Sequence, residues 1–196
     1  KHTRKWNADQ GFSLKGTGMQ QATLSKRRIS IIDDHPIVRQ GISQLIDQEE
    51  DLVTCCQAGS AQEALEIMAS CTPDVLLVDI SLDGISGIEL IKMLRQHNIK
   101  SPVLIISMHD ESLYAERALR SGAKGYVMKQ EATEKVLTAI RQVLRGEIYL
   151  SERMQSKILQ RVINGEEGGL SAIDLLSDRE LEVFRLIGLG YSTSDI

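Results

Sequence analysis

The sequence has few aromatic residues and no long apolar stretch. Aromatic side chains make up 4% of its 196 residues while hydrophobic residues make up 42%, so aliphatic side chains must build the core. No apolar run approaches the ~20 residues that a membrane-spanning helix needs. The first residues also lack the apolar run and cleavage site of a signal peptide. These features predict a soluble globular protein of the cytoplasm.

Cysteine is scarce, and positive charge is not in excess. The three cysteines, Cys55, Cys56 and Cys71, lack the spacing of a zinc site and have no accompanying histidine cluster, so we expect reduced, buried thiols. The formal net charge of −4 argues against a nucleic-acid binder that is basic over its whole surface. A small DNA-reading module with a local basic face is still compatible with that total.

What the sequence does have is a repeated pattern of apolar strand and amphipathic helix. The strand candidates are Ile29–Ile32, Leu52–Cys56, Val75–Val78, Val103–Ile106 and Gly125–Met128. The stretches that follow them carry apolar residues at helical spacing and begin at Pro36, Ala61, Gly87, Glu111 and Thr133. Fully apolar strands that alternate with helices predict an α/β fold with a doubly wound parallel sheet, covered by helices on both faces.

Composition divides the chain into four parts. Residues 1–25 are polar and have no sustained period, which predicts a flexible N-terminal extension. Residues 26–148 hold the strand and helix repeats, and residues 149–171 form a linker that includes a helix. Residues 172–196 begin a small all-α module.

Two helices are predicted after the repeats. One is Glu152–Ile163, and it precedes a glycine- and glutamate-rich linker stretch. The other follows Ser177 and Glu180, whose spacing predicts a capping box at a helix start. Ser192 is a plausible cap for a further helix, which Ile196 cuts off.

Polar residues stand where the predicted strands end. They are Asp33 and Asp34 after the first strand, Asp79 after the third, Ser107 after the fourth and Lys129 after the fifth. The carboxyl ends of parallel strands meet in one crevice, which is where ligands bind. Carboxylates brought close there repel each other by roughly 4 kcal/mol per pair, so they need a cation. Mg²⁺ with oxygen ligands is the natural choice, and Lys129 offsets the remaining charge.

This combination fits phosphoryl transfer to an aspartate. A carboxylate can attack phosphorus and form an aspartyl phosphate, which makes Asp79 the candidate nucleophile. Mg²⁺ neutralises the transferred oxygens, while Lys129 and Ser107 can contact them. The turn from Asp83 to Gly87 lets the backbone approach the site. We therefore expect a signalling switch rather than a conventional enzyme.

Several segments resemble the receiver domain of bacterial two-component response regulators. The segments are Ile31–Pro36, Val78–Gly87, Ile106–Ser107 and Gly122–Lys129. The stretch Leu176–Val183 resembles the start of a LuxR-type helix-turn-helix, and together they resemble the NarL/FixJ class of transcription regulators. That class implies a flavodoxin-like, five-stranded receiver, a sensor histidine kinase as phosphoryl donor, homodimerisation on phosphorylation, and DNA binding as output.

The resemblance also implies a role for each site residue. Asp79 would be the phosphoacceptor. The implied Mg²⁺ ligands are Asp34 directly, Asp33 largely through water, Asp79, and Ser81 through its backbone carbonyl. Ser107 and Lys129 would contact the phosphoryl group. Tyr126 matches the switch aromatic, which turns inward together with the Ser107 hydroxyl; the alternative is an aromatic residue at the sheet edge with its hydroxyl in water.

Two departures from the family pattern keep alternatives open. Leu82-Asp83-Gly84 stands where Met-Pro-Gly is usual, and the extra carboxylate could raise Mg²⁺ affinity or slow attack by an anionic donor. The recognition helix would follow Ile196, so a receiver that acts through protein contacts alone is the alternative function. A haloacid-dehalogenase-like phosphatase also uses an aspartyl phosphate, but it needs a second aspartate where Ser81 stands.

Two histidines lie close to the predicted crevice. His35 follows the acidic pair and is interpreted as a helix-start residue rather than a catalytic base. His109 lies just past Ser107, and we hypothesise that it tunes the lifetime of the phosphoryl group.

Overall fold

The computed structural model describes residues 25–131, 133–164 and 176–192. The predicted N-terminal extension therefore lies almost wholly outside the described residues. So do most of the glycine-rich linker stretch and any helix that begins after Ser192.

Five parallel strands form one sheet in the order β2-β1-β3-β4-β5. They are β1 Arg27–Ile32, β2 Leu52–Ala58, β3 Val75–Asp79, β4 Val103–Ser107 and β5 Gly125–Met128. The chain moves to one side from β1 to β2 and to the other side from β3 onward, so strand order reverses between β1 and β3. Ligands bind at such a switch point, outside the carboxyl ends of the strands. The predicted doubly wound sheet is confirmed.

Five helices cover the sheet, and four of them begin at a proline or after a side-chain cap. They are α1 Pro36–Asp47, α2 Ala61–Met68, α3 Gly87–Gln96, α4 Glu111–Ser121 and α5 Thr133–Leu144. Pro36 occupies the first turn of α1, where its missing N–H costs nothing. The side chains of Ser60, Ser86 and Asp110 accept hydrogen bonds from backbone N–H groups of α2, α3 and α4.

The core lies on both faces of the sheet. Leu76 and Val78 of β3 pack with residues of α2, α3 and α4, while Val75 and Leu77 pack with residues of α1 and α5. All five residues of β3 are buried, which explains why this strand is apolar at successive positions. The same burial holds Asp79 rigidly at the end of the strand.

The pairing of β1 with β2 contains a β-bulge. Ile29 pairs with Thr54 and Ser30 pairs with Cys56, so the register passes over Cys55. Cys56 forms a disulfide with Cys71, while Cys55 keeps its thiol and is half-buried. The expectation of three reduced thiols is therefore wrong for Cys56 and Cys71, because the bulge and the loop after α2 bring their sulfurs together.

Two further helices follow the sheet domain, α6 Glu152–Ile163 and α7 Asp178–Gly188. Ser177 and Glu180 form the predicted capping box at the start of α7. Leu181 on α7 is buried in the same apolar cluster as Tyr114 on α4. No helix in the described ranges has both the length and the apolar character that crossing a bilayer requires.

Helix α4 makes polar contacts with this C-terminal segment. The carboxylate of Glu111 accepts hydrogen bonds from the backbone N–H of Ser151, at 2.9 Å, and from its hydroxyl. Glu116 forms an ion pair with Arg161 of α6 at 2.5 Å. Arg117 also donates to the backbone carbonyl of Leu176, just before α7. We call these three contacts the α4 tether.

Candidate functional site

Acidic residues meet at the switch point between β1 and β3. Side-chain ligand atoms of Asp33, Asp34, His35 and Asp79 all lie within 4.8 Å of one another. Asp33 and Asp79 are buried, and Asp34 is partly exposed. The structure thus brings together the three carboxylates predicted from the strand ends. His35 occupies the N-cap position of α1 without a side-chain capping hydrogen bond, which agrees with its interpretation as a helix-start residue.

Lys129 follows β5 and reaches into this cluster. Its Nζ lies 2.6 Å from Asp79 Oδ2 and 2.7 Å from Asp33 Oδ2. Burial opposes the charge on the ammonium group, but the paired carboxylates of Asp33 and Asp79 outweigh it and raise the pKa of Lys129. The lysine therefore stays protonated and supplies one positive charge to the buried carboxylates.

Asp79 is held in an environment that disfavours its negative charge. Burial is the largest cause, and it raises the pKa of Asp79 above the usual range. Lys129 acts in the opposite direction, while the neighbouring charge of Asp33 adds to the increase. One lysine does not fully compensate two buried carboxylates, so the cluster attracts further positive charge.

The oxygens of the cluster fit a Mg²⁺ ion. Within the described residues, no hydrogen bond of acceptable geometry reaches the buried atoms Asp33 Oδ2 and Asp34 Oδ1. Each has only an ion-pair contact, with Lys129 for Asp33 and with His35 Nδ1 at 2.6 Å for Asp34. Buried carboxylate oxygens with spare acceptor capacity are the ligands that a hard divalent cation prefers.

Ser107 and Tyr126 lie inside the protein on the β4 and β5 side of the cluster. The Ser107 hydroxyl is fully buried and accepts a hydrogen bond from the His109 N–H at 3.1 Å. The Tyr126 hydroxyl donates to the His109 carbonyl at 2.9 Å, and burial raises the pKa of this phenol. Tyr126 is 1% exposed, so the alternative with its hydroxyl in water is wrong.

His109 also bridges to the loop after Asp79, a contact that the sequence did not indicate. Its Nε2 lies 2.7 Å from the Ser81 hydroxyl, and its ring centroid lies 4.8 Å from that of Tyr114 on α4. The Ser81 N–H in turn donates to Asp79 Oδ1 at 3.3 Å. The available signal was that Ser81 and His109 each stand two residues after the end of adjacent parallel strands.

The loop after Asp79 approaches the site closely, as expected. A Cβ atom on Gly87 would lie 2.1 Å from the Asp79 carbonyl oxygen, so only glycine fits there without a shift of the backbone. The Gly87 N–H donates to the Ile80 carbonyl at 2.8 Å and closes the loop. Asp83 is exposed and lines the same cleft as Asp34 and His35.

A doubly wound five-stranded sheet, with a lysine-paired acidic cluster at its switch point, defines the receiver class of α/β proteins. The family model described as response regulator receiver domain matches residues 29–141, and the chain belongs to that family. The chain is 34% identical over 174 residues to the oxygen regulatory protein NreC of Staphylococcus haemolyticus, covering 86% of this chain and 80% of that protein. It is 29% identical over 171 residues to a nitrate/nitrite response regulator protein homolog of Haemophilus influenzae, covering 87% of this chain and 80% of that protein.

Solved structures give the same classification. A LuxR-family two-component response regulator from Aurantimonas sp. matches with a TM-score of 0.66 and 34% identity, over 71% of this chain and 99% of that one. The RcsB response regulator of Salmonella typhimurium matches with a TM-score of 0.62 and 25% identity, over 87% of this chain and 80% of that one. The chain is therefore a two-component response regulator of the NarL/LuxR type, and the resemblance seen in the sequence is confirmed.

Proposed function

We propose that this chain is a cytoplasmic phosphorylation switch, in which a sensor histidine kinase phosphorylates Asp79 and thereby controls dimerisation and DNA binding. The observation that carries the proposal is the position of Asp79 at the switch point, 2.6 Å from Lys129 and beside Asp33 and Asp34. Membership of the receiver family supports it. Similarity to a nitrate/nitrite response regulator protein homolog and to an oxygen regulatory protein supports a regulatory output, and the LuxR-family structural match supports DNA binding.

The transfer step follows from the residues of the cluster. A carboxylate oxygen of Asp79 attacks the phosphorus of a phosphohistidine. The new P–O bond forms as the P–N bond breaks, and the leaving imidazole nitrogen keeps the electron pair and takes up a proton from water. Asp33, Asp34, Asp79 and the backbone carbonyl of Ser81 would hold Mg²⁺, which when bound supplies positive charge to the phosphoryl oxygens.

Lys129 and Ser107 would bind the product of this step. Lys129 already contacts Asp79 and can transfer one of its N–H donors to a phosphoryl oxygen. The Ser107 hydroxyl accepts a hydrogen bond from the His109 N–H and is also hydrogen-bonded to the Tyr126 hydroxyl, so it would have to turn its proton from Tyr126 toward a second phosphoryl oxygen. Both groups come from strand ends, which are rigid positions.

The signal would pass from Ser107 to α4 and from there to the C-terminal helices. Tyr126 is hydrogen-bonded to the His109 carbonyl, and His109 packs against Tyr114 of α4, so a movement of Ser107 displaces one end of this helix. Helix α4 also carries the α4 tether, including the contact of Glu111 with Ser151. A shift of α4 would loosen that tether, favour homodimers and free the DNA-binding module.

The direct test is phosphorylation by a small donor. The full chain, its Asp79→Asn variant and its Asp83→Asn variant are incubated with acetyl phosphate, with Mg²⁺ or with a chelator, and intact mass is measured. We expect the mass of one phosphoryl group on the wild type and on Asp83→Asn with Mg²⁺ present, and none on Asp79→Asn. Equal labelling of the wild type and Asp79→Asn would rule the proposal out.

A further inference from the structure

Three cysteine sulfurs meet in a part of the receiver that the phosphoryl chemistry does not use. Cys55 Sγ lies 3.4 Å from Cys56 Sγ and 3.4 Å from Cys71 Sγ, and the latter two form the disulfide. Cys71 precedes β3, whereas Asp79 ends that strand. On β2, Cys56 pairs with Ser30, which stands three residues before Asp33, so the sulfur cluster is set back along the sheet from the acidic cluster.

The β-bulge in β2 builds this cluster. Successive residues of a regular strand point to opposite faces of the sheet, so Cys55 and Cys56 would ordinarily be separated by the sheet. Because the register with β1 passes over Cys55, the alternation is interrupted there. Both side chains pack against the apolar cluster on the α2 side of the sheet, where Cys71 is also buried. A regular strand would not place three sulfurs together.

The surroundings of Cys71 suit a sulfur that carries negative charge during reaction. Arg28 Nη2 lies 3.9 Å from Cys71 Sγ, and Arg28 Nη1 lies 3.3 Å from Thr72 Oγ1. The Arg28 backbone N–H also donates to a carboxylate oxygen of Asp74 at 2.7 Å, which fixes the loop against β1. A guanidinium group near a thiol favours its thiolate form.

Access differs among the three sulfurs. Cys71 is 8% exposed, whereas Cys55 and Cys56 are half-buried and lie on β2, at the edge of the sheet. A small reagent can therefore reach Cys55 or Cys56 more easily than Cys71. This is the arrangement in which an accessible thiol reacts first and a buried thiol completes the bridge.

We propose that Cys55, Cys56 and Cys71 form a reversible thiol–disulfide exchange site, which takes low-molecular-weight disulfides such as oxidised glutathione as oxidant and small thiols as reductant. The bridge between Cys56 and Cys71 is its oxidised form. Cys55 is the third sulfur of the site and lies beside the bridge.

Oxidation takes place in two exchange steps. The Cys56 thiolate attacks one sulfur of the small disulfide, forms a mixed disulfide and releases one small thiolate. The Cys71 thiolate then attacks the Cys56 sulfur, forms the bridge and expels the second small thiolate. The two protons lost by the cysteines end on the two released thiols, so two cysteines are oxidised and one small disulfide is reduced. Reduction reverses these steps, and Cys71 leaves as a thiolate beside Arg28.

Cys55 Sγ is within van der Waals distance of both bridged sulfurs, but because it is equally far from each it lies beside the bridge and not in line with it. Exchange with either sulfur therefore requires the Cys55 side chain to rotate first. Burial raises the pKa of the Cys55 thiol, and Arg28 opposes that effect only in part. Little thiolate is present near neutral pH, so internal exchange by Cys55 is slow there and speeds up as the pH rises. The two-step route through Cys56 does not depend on it.

The bridge ties the edge strand to the chain segment that leads into β3. It closes a loop with a sequence separation of 15, and the Cα atoms of Cys56 and Cys71 are 6.8 Å apart, within the range that disulfides span. Closing a loop of this length restricts the unfolded chain, so the oxidised protein should melt on the order of 5–10 °C above the reduced protein.

The test counts free thiols as a function of redox buffer. The full chain is equilibrated without oxygen in mixtures of reduced and oxidised glutathione, then unfolded and alkylated, and intact mass and peptide mapping locate the labels. We expect three labels under reducing conditions and one label, on Cys55, under oxidising conditions. The Cys55→Ser variant should pass from two labels to none at a similar ratio of the buffer components. In Cys56→Ser, the bridge should form between Cys55 and Cys71.

Three outcomes would overturn the proposal. The first is that the folded chain carries three alkylated thiols in every glutathione mixture, even in mixtures where the same chain unfolded in urea forms a disulfide. A second is a stable mixed disulfide on Cys56 while Cys71 is still labelled. The third is protection of all three thiols under reducing conditions until a chelator is added, because that result would identify a soft-metal site instead. The first outcome compares folded and urea-unfolded wild-type protein, so it can be judged even if a cysteine variant fails to fold.

Discussion

The Asp79 side chain is buried and lies beside a second carboxylate, that of Asp33. Both features lower the stability of the folded protein while the Asp79 carboxyl is charged. Its pKa is raised by burial and by Asp33, against the effect of Lys129. A carboxyl that binds its proton more tightly in the folded protein than in the unfolded chain stabilises the fold at low pH. That contribution is lost as the pH rises from the unfolded value of about 3.9 through the raised folded value.

We therefore expect Asp79→Asn to raise the free energy of unfolding at neutral pH, in the absence of divalent cations, by about 1–2 kcal/mol. The asparagine removes one buried charge and leaves the ion pair of Asp33 with Lys129. Urea unfolding with a chelator or with Mg²⁺ measures the change, and Mg²⁺ should stabilise the wild type more than the variant. The exposed Asp83→Asn is the control, with an expected change within about 0.5 kcal/mol. A less stable Asp79→Asn would mean that Lys129 fully compensates both carboxylates.

His109 is the second residue whose role can be tested alone. Its imidazole lies between the Ser81 hydroxyl and the Tyr114 ring, and so covers one side of the cleft beside Asp79. A water molecule that hydrolyses the aspartyl phosphate must enter that cleft. We expect His109→Ala to change the dephosphorylation rate several-fold, measured by loss of phosphoryl mass after removal of the donor. Ser81→Ala removes the same hydrogen bond and leaves the ring in place. A His109→Ala rate equal to that of the wild type would reject the hypothesis.

At the scale of elements, the loop between β3 and α3 depends on one glycine. Gly87 is the first residue of α3, and its Cα faces the Asp79 carbonyl at a distance that leaves no room for a side chain. We expect Gly87→Ala to lower the free energy of unfolding by about 2–3 kcal/mol, because the backbone of the loop or of β3 must move. Phosphorylation by acetyl phosphate should fall as well, since the loop also positions Ser81.

Gly41→Ala is the matched control for that change. Gly41 lies inside α1, and a Cβ atom there would meet nothing within 4 Å. Alanine in a helix interior is favoured over glycine by about 0.5–1 kcal/mol, so this variant should be more stable than the wild type. Urea unfolding of both variants separates the two effects. Equal effects of the two substitutions would show that the close approach at Gly87 is not what constrains the loop.

The strands and the acidic cluster could be predicted because both follow from local pattern and topology. A short apolar run such as Val75–Val78, which alternates with longer helical stretches, predicts a strand buried on both faces, and the carboxyl ends of parallel strands share one edge. The bulge at Cys55 could not be predicted, since Leu52–Cys56 has the composition of a regular strand. The Cys56–Cys71 bridge depends on that bulge. The contact of Ser81 with His109 depends on the exact spacing of two loops, which no local pattern encodes.

At the scale of the whole molecule, α4 is the element that connects the acidic cluster with the C-terminal helices. One of its ends faces His109, and the α4 tether holds α6 and the start of α7 on its surface. Partly exposed ion pairs contribute only about 0.2–1 kcal/mol each. A tether of this strength can hold the C-terminal segment in the unphosphorylated protein and yet be released by a modest change at Asp79.

Weakening the tether should therefore imitate, in part, the effect that we propose for phosphorylation of Asp79. We expect the double variant Glu111→Ala and Glu116→Ala, without phosphoryl donor, to form homodimers about tenfold more readily than the wild type, since loss of about 1.4 kcal/mol changes an equilibrium tenfold. Sedimentation at several protein concentrations measures the dimer constant. Acetyl phosphate should then increase the dimerisation of the double variant by a smaller factor than that of the wild type. Glu66→Ala on α2 removes one carboxylate, whose side chain accepts a hydrogen bond from Gln62 of the same helix, and should leave the dimer constant unchanged. If the double variant dimerises like the wild type while still accepting a phosphoryl group, the signal leaves Asp79 by a route other than the α4 tether.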